Sequence, residues 1–240
     1  MNIKYLKISL TEDFPAIRLI IAAMVITFAA VVTIYKYVDL SDSVSASFSS
    51  TETTILALSD MINRVFIFLP LYIFVVSGAR LANGLGNTGI LLQKSRAGVA
   101  TNGILKVFFY TVLFAVILLI IVTATSQAAF PKADDFTRAF FGTSSAYGFR
   151  SDVLSETPSK VAVTLVTTMF LTYFTIGIIN FFLSILLKED AAFVLTVIIG
   201  IGAEAMIVQR SSALPLLPVV IVIAVIFILL SFAVLSRKNL

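Results

Sequence analysis

"VAVTLVTTMFLTYFTIGIINFFLSILL", residues 161–187, runs for 27 residues without one charged side chain. About 20 apolar residues in a helix cross the hydrocarbon core of a bilayer. This segment is therefore long enough to span it and to tilt or project from it. Its neighbours read the same way. Five more segments have the length and apolarity of spans: 19–37, 65–81, 105–125, 191–208 and 214–235. The second is short, and Pro70 within it predicts a kink.

Composition agrees. Of 240 residues, 59% are hydrophobic and 12% charged, and the mean hydropathy is +1.06. A soluble domain of this size could not hide that much apolar surface. The expected fold is an all-α, polytopic membrane protein of six transmembrane helices. It forms a single permease domain over 1–240, with no internal repeat or linker to mark a second. Lys4 and Lys7 resemble the start of a signal peptide, but Glu12, Asp13 and Pro15 interrupt before the apolar run. The first run is read as a retained span.

Orientation follows from the basic residues of each connection. Ten of the 17 fall on one side: Lys4, Lys7, Arg18, Arg80, Lys94, Arg96, Lys106, Lys188, Arg237 and Lys238. The opposite side opens with an acidic loop, 39–60, holding Asp39, Asp42, Glu52 and Asp60. Its second loop, 126–160, balances four basic residues against Asp134, Asp135, Asp152 and Glu156. Both termini are expected in the cytoplasm. The aromatic second loop, with Phe130, Phe136, Phe140, Phe141, Tyr147 and Phe149, reads as a segment lying on the outer membrane surface or as a lid.

Enzyme chemistry finds little support. There is no cysteine and no histidine, which excludes thiol chemistry, Cys-ligated metals, Ser-His-Asp triads and H-E-x-x-H proteases. A P-loop needs G-x-x-x-x-G-K-[ST], and the Lys94-Ser95 pair follows its glycines at the wrong spacing. Lys36, Lys106 and Lys160 lie at expected span ends, where they can snorkel, so a Ser-Lys dyad within a span is not indicated.

Glu204, in "GIGAEAMIVQR" (200–210), is the only acid inside an expected span. Intramembrane acids are functional candidates by default. One reading pairs it with Arg210, Arg64 or Lys36 near the outer end of its helix. Another puts it on a translocation path, and proton coupling ranks third. Thr164, Thr168, Thr172 and Thr175 share one face of the 161–187 helix. Helix packing is the preferred reading of this stripe, and a polar wall of a translocation path is its rival. Gly200, Gly202, Ala203 and Ala205 read as a close-packed helix face.

The connector "NGLGNTGILLQKSRAGVATNGILK" (83–106) is the most polar stretch between the spans. It resembles the segment joining spans two and three of type-2 ABC exporter permeases, the group that includes bacteriocin and lantibiotic immunity and export permeases. The matching positions are Asn87-Thr88-Gly89, Ile90-Leu91-Leu92, Ser95-Arg96 and Lys106. Asn83 and Gly84 stand where the family usually has an acid. The leader "MNIKYLKISLTEDFPAIR" fits the interfacial N-terminal helix of such permeases, with Ile3, Leu6, Leu10, Phe14 and Ile17 at helical spacing.

The resemblance implies a cytoplasmic coupling helix that docks on a separate ABC ATPase subunit. Gly89, Ile90, Leu91, Leu92, Lys94, Ser95 and Arg96 would make the contact. It implies no cofactor in this chain, with ATP and magnesium held by the partner. The other expected partners are a second permease copy or homologous permease, the bacterial cytoplasmic membrane and a hydrophobic or amphipathic peptide substrate; nucleic acid is not expected. Two rivals remain, a small ion-coupled secondary transporter and a non-transporting immunity or scaffold protein.

Overall fold

The computed structural model describes residues 15–44, 47–77, 96–133, 135–137, 140, 157–209 and 217–237. Every element among them is helical. The order is α1 (Ala16–Val44), α2 (Ser50–Ser59), a π-helix (Ile62–Phe68), α3 (Leu69–Ser77), α4 (Arg96–Ala129), α5 (Pro158–Leu186), α6 (Glu189–Gln209) and α7 (Leu217–Arg237). Among the described residues four stretches are long and apolar enough to cross a membrane: Ala16–Asp42, Ala97–Ala129, Pro158–Leu186 and Pro218–Ser236. A fifth candidate is the pair Ser50–Ser59 and Ile62–Ser77, bent by 60°. The chain is a multi-pass helical membrane protein. Helix is the expected outcome, because backbone groups in hydrocarbon must find partners within their own segment.

α5 is the central helix. Its apolar window is 67% buried inside the bundle, compared with 17% for α7 at the periphery. Tyr173, Ile176, Ile178 and Phe181 of α5 join Phe68, Tyr72, Val107, Tyr110 and Phe114 in one core. A second cluster at the other end gathers Ile34, Tyr37, Phe48, Phe130, Phe140 and Val161. Phe48 makes edge contacts with Tyr37 and Phe130 there. α1 turns Ile17, Ile20, Met24, Phe28, Val32 and Tyr35 outward, a stripe suited to acyl chains.

Several boundaries differ from the expected ones. α1 begins at Ala16, so Ile17 and Arg18 belong to the first long helix rather than to a separate leader. The Arg18 guanidinium donates to the Phe74 carbonyl at 2.9 Å and to Ser77 Oγ at 3.2 Å, and stacks on the Phe74 ring. α4 begins at Arg96 and not near 105, because Ala97, Gly98, Val99 and Ala100 pack as helix. Lys106 therefore sits about 15 Å along α4, and it is buried rather than at a span end.

The largest difference concerns the acidic loop expected at 39–60. α1 continues to Val44, and Ser50–Ser59 is helix α2, almost wholly buried against α4 and α5. Several of its polar side chains have partners, although the buried Ser59 hydroxyl has none among the described residues. Ser49 and Glu52 form a reciprocal capping box, and the Thr53 and Thr54 hydroxyls donate to carbonyls of the preceding turn. Glu52 also accepts from the Thr137 amide and, at 3.0 Å, from its hydroxyl. With the Ser50 amide on the Pro131 carbonyl at 2.9 Å, this ties α2 to the segment after α4.

Pro70 acts differently from a kink. Its ring would collide with the carbonyl four residues back, and the chain widens into a π-helix just before it. The 60° bend lies earlier, between Ser59 and Ile62. Asp60 leaves the helical conformation with ψ 123°, and its carboxylate caps the next helix through the Asn63 amide at 3.0 Å.

Two glycines separate packing from composition. A Cβ at Gly177 would lie 2.2 Å from the Tyr72 hydroxyl and 2.7 Å from Val107 Cγ1, whereas one at Gly202 would meet nothing within 4 Å. Gly200 packs on Leu69, so only part of the expected small-residue face of α6 is close-packed. Gly177→Ala should destabilise by about 1–3 kcal/mol. Gly202→Ala should be neutral or stabilise by up to about 1 kcal/mol. Thermal unfolding in detergent checks both, and equal melting temperatures for the two variants would refute the packing described.

Candidate functional site: a buried ion pair at a π-helix

The π-helix places Arg64 toward α6, which supplies Glu204. Arg64 Nε donates to Glu204 Oε1 at 3.2 Å. Nη2 and Oε2 lie 3.1 Å apart, within ion-pair distance but not aligned for a hydrogen bond. The side chains are 4% and 0% exposed. Of the three cations considered for Glu204, Arg64 is its partner. Lys36 is exposed on α1, and Arg210 lies outside the described residues.

Such a pair is not a strong source of net stability. Desolvating two charges is expensive, and replacing both with apolar groups is often neutral or favourable. Removing one partner is different, because it leaves a lone charge in a dry core. The geometry reinforces that asymmetry, since a single aligned hydrogen bond joins the two groups.

Around the pair, tyrosines carry polar tips through the apolar core. The Tyr173 hydroxyl donates to the Arg64 carbonyl at 3.4 Å. Its ring stacks on Tyr72, with centroids 5.1 Å apart and planes 19° from parallel. The Tyr72 and Thr111 hydroxyls are 2.8 Å apart. Thr111 donates its only hydrogen to the Val107 carbonyl at 2.7 Å, so Tyr72 is the donor of that pair. Gly177 leaves room for the Tyr72 hydroxyl. On the other side, Asn63 Nδ2 donates to Thr33 Oγ1 at 2.8 Å and to the Ala57 carbonyl at 3.3 Å. Nearby, Leu58, Thr111, Leu118, Met169 and Tyr173 help line a small apolar cavity of about 20 Å³, room for about one water-sized sphere.

The threonine stripe of α5 faces inward but does not join this centre. Thr168, Thr172 and Thr175 are buried and Thr164 is half-buried. The hydroxyls of Thr168, Thr172 and Thr175 donate one turn back, to Thr164, Thr168 and Leu171 carbonyls. Thr175 also reaches the Val220 carbonyl of α7 at 3.4 Å. No hydrogen bond among the described residues links the stripe to Glu204. This is the pattern of helices drawn close by small hydroxyl residues. Farther along α5, Asn180 Oδ1 accepts from Thr196 Oγ1 of α6 at 3.1 Å.

Of the connector residues, Gly89, Ile90, Leu91, Leu92, Lys94 and Ser95 lie outside the described residues, and Arg96 is the first residue of α4. Among the described residues no group of acids could hold a metal ion. Sequence reasoning overlooked Asn63, Tyr72, Thr111 and Tyr173, which look like ordinary span residues. It also overlooked Glu52, although Ser49-x-x-Glu52 is a legible capping-box pattern.

The fold and this centre define a helical multi-pass membrane protein with one buried arginine–glutamate pair among its described residues. The chain matches no protein-family model, no curated protein and no solved structure.

Glu204→Ala should lower stability by about 3–5 kcal/mol, read as a large fall in melting temperature in detergent. The double variant Arg64→Met with Glu204→Met should be markedly more stable than Glu204→Ala alone. If the double variant is no better than the single one, the two charges do not compensate each other as the geometry requires.

Proposed function

We propose that this chain is the transmembrane subunit of an ATP-driven ABC exporter, moving a hydrophobic or amphipathic peptide out of the membrane or cell. The observation that carries the reading is the connector at 83–106, whose Gly89, Ile90-Leu91-Leu92 and Ser95-Arg96 match the family's pattern. The multi-pass helical architecture supports the same class.

In this reading α6 is the fifth of six spans and α7 the sixth, and both termini face the cytoplasm of a bacterial cell. Two permease copies, or one with a homologous permease, pair in the membrane. A separate ATPase subunit binds ATP and magnesium. Its closure pulls on the coupling helix and shifts the permease between inward- and outward-open arrangements. Ile90, Leu91 and Leu92 enter an apolar groove on the ATPase, while Lys94 and Arg96 meet acids at the rim. An ion-coupled carrier would need an acid free to exchange its ion, and Glu204 is instead held by Arg64.

The apolar contact should outweigh the charged one. Burying each of Ile90, Leu91 and Leu92 contributes about 1.5–3 kcal/mol, whereas a rim charge contributes about 0–1 kcal/mol. Leu91→Asp should therefore release the ATPase in a detergent pull-down, while Lys94→Ala weakens the complex slightly and mainly at high salt. Co-purification of Leu91→Asp with a fully active ATPase would sink the coupling role.

The orientation has its own check. Reporter fusions after Gln93 and Arg237 should report the cytoplasm, and fusions at Ser47 and Thr143 the outside. A cytoplasmic Ser47 fusion would reverse the topology and remove the basis for coupling.

A further inference from the structure

The contacts between α6 and the π-helix match in an unusual register. Glu204 holds Arg64, and Gly200, one turn earlier on α6, packs on Leu69. Arg64 and Leu69 are the two ends of a single π-type hydrogen bond, from the Leu69 amide to the Arg64 carbonyl five residues back. One α-helical turn of α6 thus grips one π-helical turn of the broken span. The Tyr173 hydroxyl meets the same Arg64 carbonyl from α5.

A π turn is less favourable than an α turn and persists where its surroundings hold it. Returning it to α geometry would remove one residue from the turn. Everything on its N-terminal side would then rotate by about 100° relative to α3. Ile62 and Asn63 would move first. Asn63 ties this segment to Thr33 of α1 and to the Ala57 carbonyl of α2, so α2 could not keep its present seat between α4 and α5.

We propose that the Arg64–Glu204 pair is the latch of a π-helical hinge that holds the buried α2 arm docked in the bundle. Breaking the latch lets the turn relax and releases α2, while the long helices α4, α5 and α7 stay packed. The pair is then a positioning device and touches no ligand. Its seat fits a further feature: the threonine hydroxyls of α2 are satisfied within their own helix. The Thr53 and Thr54 hydroxyls return to carbonyls of their own first turn. Among the described residues, the bonds that tie α2 to other segments thus include those of Glu52 to Thr137, of the Ser50 amide to Pro131 and of Asn63 to the Ala57 carbonyl.

The chain has no cysteine, so single cysteines report without background. Ala57→Cys on α2 and Ala100→Cys on α4 both occupy fully buried positions and should react slowly with N-ethylmaleimide, because the reactive thiolate needs water. The rates are compared in the full-length protein in liposomes, alone and combined with Glu204→Gln or with Arg64→Met plus Glu204→Met. The expected result is that the Ala57→Cys rate rises at least about tenfold in both backgrounds while the Ala100→Cys rate is unchanged, as local opening requires.

The double variant separates a latch from a merely orphaned charge, and it carries the test even where Glu204→Gln does not fold. Protection of Ala57→Cys in the double variant would overturn the proposal, since removing both charges should still unlatch the hinge. Ala57→Cys and Ala100→Cys speeding up together would overturn it as well, showing that the pair supports the whole bundle.

Discussion

A guanidinium in the middle of a helical bundle has neither water nor headgroup to turn to, and Arg64 makes the rest of this core answer to it. Its charge requires Glu204 from α6, and its carbonyl takes the Leu69 amide and the Tyr173 hydroxyl. Those three contacts bring α6, α3 and α5 to one point. The stacked pair of Tyr72 and Tyr173, the clearance at Gly177 and the link to Thr111 follow from seating polar tips beside that point. The pair adds little net energy for its two desolvated charges. What it supplies is register, because a charge with one partner tolerates one arrangement.

The same rule, that polar groups out of water must find partners, shapes the opposite end of the bundle. α2 is rich in serine and threonine and holds a glutamate, yet it is buried. Capping by Ser49 and Glu52 and back-donation by Thr53 and Thr54 satisfy most of its first turn internally. Glu52 uses its remaining oxygen capacity on Thr137. A polar helix can therefore lie between α4 and α5 where an open loop could not. The bend at Asp60 and the π-helix before Pro70 turn that helix into the next one, with the Asp60 carboxylate capping the Asn63 amide.

Under the proposed exporter reading, the bundle would change the relation between helices while keeping each helix intact. Among the described residues the most uneven joint is the broken span of α2, the π-helix and α3. The long helices that flank it are regular. Motion is easiest where backbone geometry is already irregular and held by a few specific contacts.

Sequence alone determined the class of this protein. Long uncharged runs such as 161–187 can only be stable as helices in lipid, so α1, α4, α5 and α7 were legible from composition and length. Glu204 was legible as exceptional because an acid is rare in such a run. The tertiary structure decided what composition is blind to. It chose Arg64 over Lys36 as Glu204's partner, because pairing depends on which helix faces are apposed and Arg64 is 140 residues distant in the chain. It converted the expected loop at 39–60 into a buried helix, since hydroxyl-rich segments look polar until their hydrogen bonds are traced to their own backbone. It moved the irregularity from Pro70 to the π turn ahead of it, where α6 and α5 hold the Arg64 carbonyl and side chain at once. Hydropathy sums over a segment, whereas partnership depends on where two faces meet, and only the packed bundle brings them together.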